Sequence, residues 1–531
     1  MSRRKSKALV GTVAGVGLLA VTLIGAGSAQ AATSSSSLGY DPTTDGGSLS
    51  MITRIVGAQD MWAKGYTGKG VDVAVIDTGV TRVPGLDQAG KVIDGPDLSF
   101  DSQNPAFAHV DSFGHGTNMA SIIAGSDVAT GATTQCKTCL TDSTYSDTKK
   151  FVGVAPGARI VNVKAGATDG ATDVSQVIAA IDWVVQHQHD NGMNIRVINL
   201  SYGTDSTQSA SIDPLSYAAE VAWRKGIVVV VSAGNDGLLT SSLADPAYNP
   251  TVLAVGATDD NDTVAIDNDE IPSYAQHGSM TRKVDVVVPG SHVIGLRVPG
   301  SYIDTNVTTG KVGTRFQRGS GTSQAAAVVS GMAALLFQRY PTATPDQIKA
   351  FLKSHAEPIV STATVPAQLL PLANIVLQWW EGSGVASVED ATDSATLPAA
   401  TAAPAYGTGT GTLEGARGTS HVSSNGDSLK GEQDILGSAW NGARWSAAAW
   451  AGTSWTGGVW NGARWSGDTW SGARWSTAAW AGNDWSGARW SGARWSSMTW
   501  DGARWSGSGW TGARWSDADW SGARWSSASM D

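Results

Sequence analysis

Three short segments carry side chains that together could perform nucleophilic chemistry. Asp77 ends a β-branched run and is followed by Thr78-Gly79, His115 lies in Gly114-His115-Gly116-Thr117, and Ser323 closes Gly321-Thr322-Ser323. A serine hydroxyl is a weak nucleophile until an imidazole takes its proton, and that imidazole needs a carboxylate to hold its tautomer. Each segment alone is ordinary. Asp-Thr-Gly could be half of an aspartic protease site, but that chemistry needs a second such loop, and the sequence has none. Gly-His-Gly and Gly-Thr-Ser alone could be turns. As a set they supply nucleophile, base and orienting acid, with His115 following Asp77 by 38 residues and Ser323 following His115 by 208.

Such side chains must be held by rigid elements. Residues 71–76, 158–163, 195–200 and 227–232 are short apolar runs rich in β-branched residues, while 174–186 places apolar residues at helical spacing. Short buried strands alternating with helices predict an α/β layer fold with a mainly parallel central sheet. Asp77 then terminates the first strand. His115 and Ser323 open apolar helices at 118–124 and 324–337. Thr344-Pro345-Asp346-Gln347 reads as a further helix start, with a Thr cap, Pro at the first position and Gln three residues on.

Five segments resemble the subtilisin-like serine proteases: AVIDTGV around Asp77, GHGTNMA around His115, VINLSYG at 197–203, SAGNDG at 232–237 and GTSQAAAVVSG around Ser323. They occur in that family's order and cover residues 50–356. The resemblance implies a three-layer subtilisin-like fold and hydrolysis of peptide bonds. Ser323 would attack, His115 would relay the proton, Asp77 would orient the imidazole and Asn235 would help bind the oxyanion. It also implies a substrate backbone held between Ser201, Tyr202 and Gly203 on one side and the segment from Gly170 to Thr172 on the other. Ser232, Ala233 and Gly234 would wall the pocket for the residue before the cut. The chemistry requires no cofactor. Structural calcium is expected from the family, with no ligands assignable, because the loop 126–151 is rebuilt around two cysteines. Ala326-Ala327-Val328 replaces the Ser-Pro-His found in many relatives, a change within the supporting helix.

The rest of the chain sets the context. Arg3, Arg4, Lys5 and Lys7 precede an uncharged run at 8–26 and an Ala29-Gln30-Ala31 site, the pattern of an export signal spanning 1–31. No membrane span is expected after its removal, and the product is expected outside the cell or at its surface. Cys136 and Cys139 are the two cysteines, and outside the cell a local disulfide is their expected state. With a net charge of −10 and no basic stripe in the body of the chain, nucleic acid is excluded as a partner. Residues 32–49 read as a short flexible lead, 50–380 as the peptidase domain and 381–437, rich in Ala, Thr, Ser, Gly and Pro, as a disordered linker.

The final region, 438–528, repeats tryptophan every five residues from Trp440 to Trp525, which accounts for 18 of the 23 tryptophans. Five residues turn a helix through about 500°, which scatters the rings, and a strand puts successive rings on opposite faces. A turn per repeat is therefore expected, and the pattern weakly resembles pentapeptide-repeat solenoids, with Trp and Arg where those carry Leu or Phe and Asp or Asn. So many indoles must be buried or bound. Attachment to a wall or surface polymer competes with a purely structural stack, Arg beside Trp offering a cation–π surface. The leading expectation is an exported serine endopeptidase acting on proteins or peptides, with the repeat as attachment, targeting or stability module. A non-catalytic surface-binding protein on a protease scaffold is the alternative, and acyl transfer to an amine would use the same residues.

Overall fold

The computed structural model describes residues 37–464, except 105, 130–143, 239, 308, 360–383, 401–404, 425–426, 436, 457–458 and 461–462, and also 485–486. The export signal, Cys136, Cys139 and most of the tryptophan repeat therefore lie outside the described residues.

The four apolar runs become β1 (Asp72–Asp77), β3 (Arg159–Lys164), β4 (Ile195–Leu200) and β5 (Val228–Ser232). Between and after them come β2 (Val92–Asp97), β6 (Leu253–Thr258) and β7 (Val286–Pro289). A small antiparallel sheet follows from β8 (Val293–Leu296), β9 (Lys311–Val312) and β10 (Phe316–Gly319). With β11 (Glu357–Pro358) and β12 (Gly384–Val385), the main sheet has the order β11-β12-β7-β6-β5-β4-β1-β3-β2. All its neighbours are parallel except β11 with β12. Every residue of β1, β5 and β6 is buried, as expected for strands covered on both faces.

The helices are α1 (Leu49–Ile55), α2 (Ala58–Ala63), α3 (His115–Ala124), α4 (Val174–His187), α5 (Pro214–Arg224), α6 (Tyr302–Asn306), α7 (Thr322–Arg339) and α8 (Pro345–Ser354). One layer has α7 lying over β4 to β7 with α3 against it; the other pairs α4 with α5 over β1 and β5. Capping fixes where these helices begin. Asp173 with Gln176 and Thr344 with Gln347 form reciprocal boxes at α4 and α8, the second as read from the sequence.

Two expectations need correction. The lead is held in place from residue 37 onward: Asp45 pairs with Arg318 at 2.6 Å, and the Gly46 amide donates to Asp262 at 2.8 Å. The stretch 381–437 is largely ordered rather than a disordered linker. Its small residues serve close packing, since a Cβ at Gly409 would lie 2.5 Å from the Tyr217 ring. Only the first repeat units fall among the described residues, and the expected coil of the whole repeat lies outside them. Residues Gly442–Ala451 are a helix, followed by the hairpin Trp455–Thr456 and Val459–Trp460. That helix scatters its rings as its geometry demands, Trp445 being buried and Trp450 40% exposed.

These units are seated on α4 and α5. Asp182 of α4 accepts the indole N–H groups of Trp445 at 2.8 Å and Trp460 at 2.7 Å. The Trp455 indole donates to the Ala179 carbonyl at 3.0 Å, and Tyr217 of α5 meets Trp445 edge-on. Burial pushes Asp182 up to about 6, against the indole donors that draw it down. Arg417, wholly buried, donates through Nε to Asp173 at 2.6 Å and through its Nη atoms to the carbonyls of Gly431 and Gln433.

Candidate active site

The candidate residues gather at the carboxyl edge of the parallel sheet, where such folds place their ligands. Asp77 is the last residue of β1, Ser201 follows β4 and Ser232 ends β5. His115 opens α3 and Ser323 is the second residue of α7. The Asp77 carboxylate contacts the His115 ring at Nδ1 through both oxygens, at 2.8 and 2.9 Å. All three residues are buried. This close seating requires a glycine after the histidine: a Cβ at Gly116 would lie 2.2 Å from the Gly79 carbonyl oxygen and 3.0 Å from Asp77 Cβ.

Asn235 is reached from the other side. Its side-chain oxygen accepts from the Thr322 amide at 2.9 Å and from the Thr322 hydroxyl at 3.1 Å. With the oxygen so held, the end of the amide able to donate is the other one. The Ser323 amide belongs to the first turn of α7, whose N–H groups a helix cannot satisfy itself. Gly234, at φ +114°, has room for no side chain, because a Cβ there would overlap Gln276 Oε1.

The substrate-side residues are placed as follows. Gly170, at φ +81°, lies in a tight turn closed by the Ala167 amide on the Ala171 carbonyl. Thr172 and Asp173 lead directly from it into α4. Ala233 pairs with Val255 through its amide, and a Cβ on Gly203 would lie 2.7 Å from Ala244 Cβ. Tyr202 is buried close to Asp173 and Asp245, and burial pushes its phenol well above the ordinary range.

One supporting residue escaped the sequence reading. Asp111, wholly buried, accepts from the Thr78 hydroxyl at 2.8 Å, the Gly114 amide at 2.6 Å and the Thr117 amide at 2.7 Å. It thereby ties the residue after Asp77 to both flanks of His115. Burial raises its carboxyl above the usual range, opposed by these donors. The available signal was an acid four residues before the histidine in DSFGHGT.

Residues 68–409 match the Subtilase family. The chain belongs to the subtilase family. It is 36% identical over 294 residues to Serine protease AprX of Bacillus subtilis (strain 168), covering 54% of this chain and 61% of that protein. Against Subtilisin BL of Lederbergia lenta it is 32% identical over 299 residues, covering 56% of this chain and 88% of that one. The crystal structure of a cold adapted subtilisin-like serine proteinase overlaps with a TM-score of 0.40 at 27% identity, covering 56% of this chain and 86% of that one. The chain thus spans less than two thirds of AprX and most of Subtilisin BL. As a subtilase it falls among the serine endopeptidases, whose substrates are proteins and peptides. Among the described residues, no helix is long and apolar enough to cross a membrane.

Proposed function

We propose that this subtilase is an exported endopeptidase using Ser323 as nucleophile, His115 as base and Asp77 as the group that orients the base. The observation that carries the reading is the two-oxygen contact of Asp77 with His115 Nδ1, which fixes the proton on Nδ1 and turns Nε2 into the acceptor. Ser323 Oγ attacks the peptide carbonyl as its proton passes to Nε2. The imidazolium formed is stabilised by Asp77 and then protonates the leaving amine. Water repeats the sequence on the acyl-enzyme.

Negative charge developing on the carbonyl oxygen is met by the Ser323 amide and the Asn235 side-chain amide. Asn235→Ala is expected to lower kcat about 10²–10³-fold while KM changes little, the size of effect known from a subtilisin. Steady-state kinetics on a chromogenic peptide check this, and a change confined to KM would remove Asn235 from the oxyanion site. The peptide backbone would lie between residues 201–203 and 170–172 as an added strand, with residues 232–234 walling the pocket for the residue before the cut. Export follows the N-terminal signal, and the repeat beyond residue 464 serves attachment or stability.

The test is labelling by a fluorophosphonate probe followed by peptide mapping, run beside hydrolysis of casein. Modification at Ser323 together with casein cleavage supports the reading. Folded protein that neither labels nor cleaves would overturn it.

A further inference from the structure

Helix α6 lies outside the five family-like segments, yet it is seated on the residues that lead into His115. The Tyr302 amide donates to the Ser112 carbonyl at 2.8 Å, and the Ile303 amide to the Phe113 carbonyl at 2.9 Å. A Cβ on Gly114 would lie 2.6 Å from Ser301 Oγ, so the start of α6 rests on the residue before the histidine. Two ion pairs tie the helix to the small antiparallel sheet: Asp304 meets Lys311 of β9 at 3.1 Å and Arg297, just after β8, at 3.4 Å. A helix held by main chain on one side and by charge on the other presents its side chains at set positions.

Its aromatic residue reaches toward the substrate side. Phe113, Ile303 and Val307 form a small buried cluster separate from the main core, and Tyr302 packs on it half-buried. The Tyr302 and Phe113 rings stack with centroids 5.6 Å apart and planes 16° from parallel. Phe113 in turn covers Gly170, where a Cβ would come within 3.0 Å of its ring, so a glycine there lets the ring close on the 170–172 segment. Burial raises the Tyr302 phenol above its ordinary range, and the carboxylate of Asp169, the residue before Gly170, adds to the rise. The two rings thus span from the His115 loop to the segment that would hold the substrate backbone.

A peptide added as a strand along 170–172 turns successive side chains to opposite faces. With the residue before the cut directed into the 232–234 pocket, its predecessor is directed to the other face, where His115 and the residues before it stand. We propose that Tyr302 is a specificity residue that walls the place of the substrate side chain second before the cut and selects a bulky apolar side chain there. The proposal rests on the triad and the substrate path set out above. Phe113, only 3% exposed, is a positioning residue: it holds the second ring in place, and the half-open Tyr302 offers the face that substrate meets. An aromatic face gains by covering aliphatic surface, which a leucine supplies and an alanine hardly does. Leucine at that position is expected to raise kcat/KM about 10-fold over alanine, the low end of what buried methylene groups give, because the wall is half open.

The experiment measures kcat/KM of the full chain on two chromogenic peptides that differ only in leucine or alanine at the second position before the cut. The preference for leucine is expected to disappear in Tyr302→Ala and to persist in Tyr302→Phe, which keeps the ring. Tyr302→Lys, whose methylene stem still covers Phe113, should lose the preference without leaving a hole. Damage to the fold alone would slow both peptides together and leave their ratio unmoved. A parent that cleaves both peptides equally overturns the proposal, as does a preference that survives in Tyr302→Ala and Tyr302→Lys. Fluorophosphonate labelling of the same samples separates this outcome from failure of the catalytic reading. Enzyme labelled at Ser323 but without the preference refutes the role of Tyr302 alone, whereas a folded parent that does not label refutes both.

Discussion

His115→Ala is expected to lower kcat by about 10⁶-fold with a much smaller change in KM, a loss of the size measured on removing the corresponding histidine of a subtilisin. The imidazole takes part only once Ser323 Oγ begins to lose its proton, so its absence is felt in the transition state and hardly in substrate binding. Asp77 is placed to orient the ring, which it meets at Nδ1. The decisive feature is non-additivity. His115→Ala combined with Ser323→Ala should be no slower than either single variant, both leaving a residual rate about 10³–10⁴ above water from the oxyanion donors and binding. Burst and steady-state kinetics on one peptide decide the matter. Losses that multiply in the double variant would show that the two side chains act independently.

The second large effect concerns stability and a residue outside all five family-like segments. Arg417→Met removes the cation from a fully buried pair and leaves the Asp173 carboxylate in place. Breaking a buried pair by removing one partner costs about 3–5 kcal/mol. Asp173 also caps α4 by accepting from the Ser175 amide at 2.9 Å, directly after the 170–172 segment. The effect should therefore extend to substrate binding, with KM rising more than kcat falls. Adding Asp173→Asn, which keeps a capping oxygen but no charge, should recover part of the stability. Urea unfolding of the three proteins in a Ser323→Ala background measures this. A single variant as stable as its parent would mean that the Arg417–Asp173 pair contributes nothing to the folded peptidase.

The contrast between these residues shows what could be read in advance. Asp77, His115 and Ser323 each stand at an element boundary announced by glycines and a change of periodicity, so local spacing reveals them. Arg417 is a single cation in a stretch of small residues, and its partner lies 244 positions earlier. Nothing local distinguishes it from a solvated arginine. The same composition that suggests a linker, glycine with alanine and threonine, also suits a main chain lying flat on aromatic rings, as Gly409 does on Tyr217. For the tryptophans, the arithmetic of period five was sound, but it assumed that every ring needed the same environment. The helix Gly442–Ala451 buries one ring and leaves the next half outside.

The seating of the tryptophan units on α4 also bears on how the protein is made. Asp182 and Trp460 are 278 positions apart, so synthesis of the proposed triad is finished well before the cover of α4 exists. A ribosome-bound chain that has reached residue 409 holds every residue matched to the family, yet presents the outer side of α4 bare, with Asp182 still in water. Contacts so distant along the chain slow the search for the native state. Until Trp445, Trp455 and Trp460 have been made, the side of α4 that carries Asp182 lacks the cover they give it.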